Sequence, residues 1–504
     1  MSRALADKEL NQYRDLIQPP GQFDEGFTWR TVLGTLFVGV IMLPAAMYMQ
    51  LMIGGVSLGP AARWVTVILF LEIAKRARSF LKPAELLILM SLIAAFVGNT
   101  PIEGFFWRQY IVQSDAARSF GLDNAFPDWY APSSQEVLDQ RNFFHSAWFI
   151  PLLLLFLQRF VDQWDSLILG YGLFRLTSDI EKLPFPMAPM GASGILALCE
   201  DTTARDGWRW RTFSIGSCLG MIFGLVYIGI PTITGVFLDQ PFQILPIPWL
   251  DTTQNTQEIL PATATGISFD LTNFFFGMAF PFFAVLGSFI GLIVTFIANP
   301  LLYDAGILHT WTPGMSTVDT LFADNMDFYL SFGIGLSLAV AIIGLIQTFS
   351  RLGKAKHAKI GLDSPSKPSP VKPQGVARGD IRTVFVILAY VLVSAFYITV
   401  AGILLEWNFG PGQALLWVMI GFALIYSPFI SYTTARLEGL AGQVISIPMV
   451  KEAAFILSGY RGINVWLLPV SWHNNYGTDV AQYRIAELVG CSFRSIWKSR
   501  ALIG

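Results

Sequence analysis

A chain of 504 residues with 53% hydrophobic and 13% charged residues cannot coat a soluble fold of that size, because an average soluble protein carries roughly 25% charged residues. The composition excludes an ordinary soluble enzyme and makes lipid the solvent for most of the chain. A net charge of −2 gives no basic field for nucleic acid, and three scattered cysteines and four separated histidines give neither a disulfide framework nor a metal motif.

A helix needs about 20 mostly apolar residues to cross the hydrocarbon core. In chain order, a polar N-terminal segment over 1–28 is followed by apolar runs at 29–53, 61–74, 83–100, 143–165, 212–237, 270–298, 326–350, 383–406 and 412–434. Two more apolar stretches, 186–199 and 440–458, are short or interrupted and read equally well as spans or as buried helices. The fold class is an all-α polytopic membrane protein with about nine to eleven transmembrane or re-entrant segments.

Lys and Arg set the orientation. The segment 351–382 carries Arg351, Lys354, Lys356, Lys359, Lys367, Lys372, Arg378 and Arg382 against Asp363 and Asp380, whereas 237–270 has four acids and no base. The first reads as a cytoplasmic linker rich in Pro, Ser and Lys, between a first membrane repeat at 29–350 and the start of a second at 383–504. The N-terminus is then cytoplasmic, in a multi-pass protein of the cell membrane. Parity fails in one place: 326–350 ends at cytoplasmic Arg351 only if 299–325 also crosses. The breakers Pro300, Gly306, Pro313 and Gly314 make this a re-entrant or broken helix, the alternative being a loop beside a misjudged span. The aromatic cluster Phe276, Phe280, Phe282 and Phe283 around Pro281 reads as packing or lipid contact.

The two parts echo one another. Arg175-Leu176 followed by Pro186-Met187 matches Arg436-Leu437 followed by Pro448-Met449 at nearly constant offset, each pair after an inward-going span. Paired repeats with interrupted helices in corresponding places mark many secondary transporters. Arg175, Asp179 and Glu181 precede Pro184 and Pro186, which interrupt any helix. The freed carbonyls and a new helix N-terminus make either a polar pocket for an anionic group or a solvated cytoplasmic turn. Asn299, Tyr303 and Asp304 flank a similar break at Pro300, while Arg436, Glu438 and Pro448 are the counterparts in the second part. Nearer the inner end of 143–165, Arg159 and Asp162 share a helical face and suit a local ion pair. No Walker A, HExxH or GxSxG pattern is present, which argues against an enzyme and against any cofactor or metal.

The run Glu181-Lys-Leu-Pro184-Phe-Pro186-Met-Ala188 resembles the Leu-x-Phe-Pro signature of the oligopeptide transporter (OPT) superfamily, closest to its prokaryotic branch. Pro83-Ala-Glu85, the proline-rich stretch Phe126 to Pro132, and Ala486-Glu487 with Phe493-Arg494 are similar to the same branch. The Asn-Pro-Gly and Lys-Ile-Pro-Pro-Arg motifs of the peptide-transporting fungal members are absent from the sequence. The resemblance implies a secondary active transporter of small peptides or related organic solutes, coupled to protons. It also implies that the second repeat is incomplete at Gly504, to be finished by further helices, another copy or a partner chain. The alternative is a non-transporting membrane subunit of a larger complex. Expected partners are the lipid bilayer and a small-molecule or peptide substrate.

Overall fold

A computed structural model describes residues 12, 14, 16–44, 47, 59–76, 81–98, 102–122, 125–140, 142–199, 207–238, 240–247, 249–269, 271–340, 342, 343, 346, 378–447, 449–469 and 474–503. Pro448 and the body of the basic linker, 351–377, lie outside the described residues. The described chain is helical, and its only β-type pairings are two isolated bridges, Asp24 with Cys491 and Leu250 with Ile267.

In chain order the principal helices are α1 Trp29–Phe37, α2 Gly59–Arg76, α3 Pro83–Gly98, α4 Ile102–Gln113 and α5 Phe149–Phe174. Next come α6 Ala188–Cys199, α7 Trp208–Phe237, α8 Leu271–Ala279, α9 Phe282–Asp304 and α10 Thr317–Asp324. The last five are α11 Thr383–Leu404, α12 Pro411–Ala441, α13 Val450–Leu457, α14 Asp479–Val489 and α15 Phe493–Ile503. Four of these, α7, α9, α11 and α12, are long and apolar enough to cross a membrane, and the chain is an all-α membrane protein. The apolar window of α7 has no buried residue and that of α9 is 6% buried, so these helices present their side chains outward, as a lipid-facing helix does. Five π-turns interrupt the described helices, at Val38–Met42, Arg175–Ile180, Leu225–Gly229, Asn325–Tyr329 and Phe422–Tyr426. Such turns frequently sit at functional positions because they free backbone groups from the helical ladder.

The described residues form two compact units, and the division does not follow the linker. The first holds those within 1–16, 184–362 and 440–448; the second holds those within 17–183, 363–439 and 449–504. In the second unit α5 packs against α11, α14 and α15, and α3 packs against α1, α2 and α15. Its apolar core runs through Tyr397, Ala401, Leu405, Phe409, Leu415, Met419 and Phe455. The α14–α15 corner turns at Gly490, which has φ +79° and lies against Pro20, so only glycine fits both the backbone and the space.

The first unit corrects the expected break. Helix α9 runs unbroken from Phe282 to Asp304 with Pro300 inside it, so 299–325 is not a broken crossing. The segment after it, 305–316, returns to the loop 250–267. Gln254 Nε2 donates to the Gly314 carbonyl at 2.8 Å, the Gly314 N–H donates to Gln257 Oε1 at 2.7 Å, and the Thr317 N–H donates to Asp251 Oδ2 at 2.8 Å. The helix is interrupted earlier, at Phe280-Pro281, between α8 and α9. At nine residues α8 spans about 13 Å, too short to cross alone. The determinant is Pro281, which caps α9 in an extended conformation (φ −55°, ψ 138°), whereas Pro300 loses one hydrogen bond without ending its helix, a loss membrane helices tolerate.

Candidate functional site

The end of α5 carries the densest charge in the second unit. The helix slips into the π-turn Arg175–Ile180, closed by Glu181 N–H on the Leu176 carbonyl (2.9 Å) and Leu183 N–H on the Thr177 carbonyl (3.0 Å). Lys182 follows with φ +56°, a left-handed conformation held by those two bonds. The π-turn aims Arg175 and Asp179 the same way, and Arg175 Nε lies 3.1 Å from Asp179 Oδ2 and its Nη1 3.0 Å from Asp380 Oδ1.

Arg378 closes the cluster. It grips Asp179 with both terminal nitrogens (3.1 and 2.7 Å), meets Asp380 through Nε at 3.1 Å and Glu487 through Nη1 at 2.8 Å, and lies over the rings of Phe174 and Phe493. Arg484 holds the other oxygen of Glu487 at 2.5 Å, and the Tyr171 hydroxyl donates to Asp380 at 3.0 Å. Burial alone would lower the Arg378 guanidinium, but the hydrogen bonds and charge of Asp179, then Asp380, raise it well above its ordinary value. Three arginines face three carboxylates, so the charges balance and each partner is used. Residues 378–382, taken from sequence as linker, thus belong to the folded unit; Gly379, at φ +85°, makes the turn that lets Arg378 and Asp380 both face inward.

A second pairing joins the two echoed segments. Arg436 Nε lies 3.2 Å from Glu181 Oε2, both side chains buried, and the Tyr432 hydroxyl donates to Glu181 Oε1. Glu438 is half-buried two residues further along the same helix.

In the first unit three helix interruptions meet. Phe185 takes φ +48° ahead of the Pro186-Met187 turn that opens α6. A side chain at Gly442, which has φ +66° just past the end of α12, would run into Met187 and Phe280. The Pro186-Met187 turn, the Phe280-Pro281 break and Gly442 therefore converge. Pro184 lies two residues before Pro186, at the start of this unit.

Asn299 is 2% exposed and does not break its helix. Its amide donates to the Ala262 carbonyl at 2.7 Å and to Asp324 Oδ2 at 3.3 Å, and its oxygen accepts from the Tyr329 hydroxyl. Asn299 thus ties α9 to the loop before α8 and to α10. Tyr303 packs edge-on against Trp311, and Asp304 ends α9 exposed.

The expected Arg159–Asp162 ion pair is replaced: Asp162 Oδ1 accepts from Asn474 Nδ2 at 3.2 Å. From sequence, Arg378 and Asp380 read as linker charges and Glu487 as part of the family resemblance, none of them as a site residue, and Asp324 is not singled out. The Arg378 cluster had one legible signal, an Arg-Gly-Asp turn between a polar stretch and an apolar run.

Compared with known protein families and with characterised proteins, the chain matches no family model and no characterised sequence.

Proposed function

We propose that the chain is a secondary active transporter of small peptides or related organic solutes, driven by a proton gradient and related to the OPT superfamily. The observation that carries this reading is the meeting of three helix interruptions, at Pro186-Met187, Phe280-Pro281 and Gly442, in a membrane protein. Interrupted helices at membrane depth survive only where protein or a cavity satisfies their backbone, and in transporters such breaks converge on the substrate. Glu181 and Arg436, paired across the two echoed segments, support it further, because a buried ion pair contributes little net stability and is retained for other reasons. Arg175 and Asp179, already saturated by Arg378 and Asp380, act in this reading as the frame that holds the π-turn. Substrate selection is assigned to the converging breaks, with freed carbonyls for an amino group and the α6 N-terminus for a carboxylate.

Purified protein in proteoliposomes, given labelled dipeptides with and without an inward pH gradient, tests the reading. Accumulation above the external concentration, abolished by a protonophore, is expected. Uptake no different from protein-free vesicles, across a panel of dipeptides and amino-acid conjugates, overturns it.

A further inference from the structure

Asp165 stands on α5 within the run that sequence marks as a membrane span, and it is 2% exposed. Its Oδ1 is buried with no hydrogen-bond partner. The groups around it are acids, hydroxyls and an amide. On its own helix Asp162, three residues earlier, takes Asn474, and Arg159 is felt at Asp162. Tyr390 and Tyr397 of α11, and Tyr476 of the segment before α14, lie in its neighbourhood. The next residue, Ser166, donates to Asp479 Oδ2 at 2.7 Å, and Asp479 in turn faces Arg500 at 3.7 Å. Arg500 is engaged elsewhere: it lies beside Asp479 and bonds Gln163 at 2.7 Å.

An isolated carboxylate in such surroundings is costly, and a buried acid resolves that cost by pairing or by holding a proton. We propose that Asp165 is a proton-binding site, taking a proton from water and returning it to water during the working cycle. The inference rests on the transporter reading for its purpose and names the carrier of the coupling proton within it. The step balances simply: the carboxyl O–H bond breaks, its electron pair stays on the carboxylate, and the proton leaves on a water molecule. A small cavity of about 20 Å³ lined by the neighbouring Ser166 with Asp479, Tyr483 and Arg500 has room for one water, and Asp165 itself is not part of its lining.

In this proposal, neighbouring hydroxyls stabilise the charge left behind. Tyr390 donates to the Ala423 carbonyl at 2.6 Å, but Tyr397 reaches Ser394 only at 3.5 Å. The Tyr476 hydroxyl accepts from Asn474 at 3.1 Å, which leaves its own hydrogen to donate. Tyr397 and Tyr476 are assigned in it as the donors to Asp165 when it ionises. This ties the packing of α5 against α11 and α14 to one proton.

Infrared spectroscopy of the purified protein, with aspartate carboxyls isotopically labelled, reads the site without any transport. A protonated-carboxyl band that titrates reversibly, present in wild type and in Asp162→Asn and missing in Asp165→Asn, is expected. Wild-type and Asp165→Asn spectra that superimpose over the whole titration overturn the proposal. So does a labelled wild type with no protonated aspartate band, an outcome that requires no variant to fold. Uptake separates this inference from the reading beneath it. If the band belongs to Asp165 and no solute moves, the proton site stands and the transporter reading falls. If wild-type uptake is proton-driven and Asp165→Asn retains the full stimulation by the pH gradient, the transporter reading stands and the proton site falls.

Discussion

The two ends of the polar seam along α5 handle buried charge in opposite ways. Around Arg378 every carboxylate has a guanidinium within 3.2 Å, and three positive groups meet three negative ones. Around Asp165, some ten residues earlier on the same helix, two acids lie among tyrosines and an asparagine. A charge cluster that cancels itself has no vacancy for a ligand ion and serves to fix geometry. A carboxyl left without a cation is the kind of group that holds a proton, as proposed for Asp165. In the proposed reading, position along one helix separates the part that holds from the part that exchanges a proton.

The largest expected effect comes from removing the centre of the balanced cluster. Arg378→Ala leaves Asp179, Asp380 and Glu487 facing each other with two arginines between three acids, and should cost about 3–5 kcal/mol of stability. The measurement is the unfolding midpoint in detergent. Arg378→Lys should recover little, because a single ammonium cannot grip Asp179 with two nitrogens while reaching Asp380 and Glu487. A wild-type midpoint in Arg378→Ala would dissolve the contrast, since both ends of the seam would then be indifferent to charge balance.

Glu181 and Arg436 sharpen the contrast at intermediate size. The pair lies close to the Arg378 cluster in sequence, Glu181 standing two residues after Asp179, and it joins the two echoed segments. A double-mutant cycle of Glu181→Gln with Arg436→Gln should give a coupling energy of about 0.5–3 kcal/mol. Glu181→Gln alone should lose more stability than the double variant, because it strands a buried guanidinium while keeping the Tyr432 bond. Equal losses from the single and double variants would make the pair energetically silent.

How much of this was legible in the sequence follows from the range of each interaction. Long apolar runs announce helices because lipid demands about 20 residues of them, and α7, α9, α11 and α12 stand where those runs do. The echo of Arg175…Pro186 in Arg436…Pro448 pointed to the stretches that supply Glu181 and Arg436. It could not show that the first acid meets the second arginine, a contact 251 residues removed at Tyr432 and set by packing alone. Arg378 was hidden for the same reason, its partners being 199 and 109 residues away. The misplaced break has a different cause. Pro300 and Pro281 are equal as residues, but Pro281 follows a nine-residue helix and stands before the first turn of α9, where a missing N–H matters least and the chain is free to turn.

Gly442 tests the convergence in the first unit with a smaller effect. Alanine there carries a left-handed penalty of about 1–2 kcal/mol and drives its Cβ to 2.7 Å from the Met187 side chain. The steric part should be relieved by Met187→Ala, and the backbone part should persist. If Met187→Ala restores nothing while Gly442→Ala destabilises, backbone strain alone accounts for the glycine. Uptake should fall in Gly442→Ala more than its stability does, since the displaced turn lies at the proposed substrate site.

The smallest effect belongs to a third way of holding a carboxylate, with neither a cation nor a proton. Asp251, in the exposed loop before α8, is held by neutral donors: the Thr317 N–H and hydroxyl, each at 2.8 Å, and the Thr253 N–H at 2.9 Å. The Thr317 N–H, against the opposing effect of partial burial and with help from Thr253, brings the Asp251 carboxyl from 3.8 down to about 2. The folded value lies below the unfolded one, so the stabilisation is present above 3.8 and is lost as pH falls from there through about 2. Amide exchange in 250–267, corrected for intrinsic rates, should accelerate across that window in wild type. In Asp251→Asn it should be modestly faster near neutrality, because one strong acceptor is gone, and indifferent to pH over the same window. Because the donors are neutral, added salt should change little, in contrast to a surface ion pair, which screening weakens. A pH profile unchanged by Asp251→Asn would assign the acid sensitivity of this face to another carboxylate. Asp327, which accepts from the Thr310 N–H and hydroxyl at 2.8 and 2.7 Å, is the one held most nearly the same way.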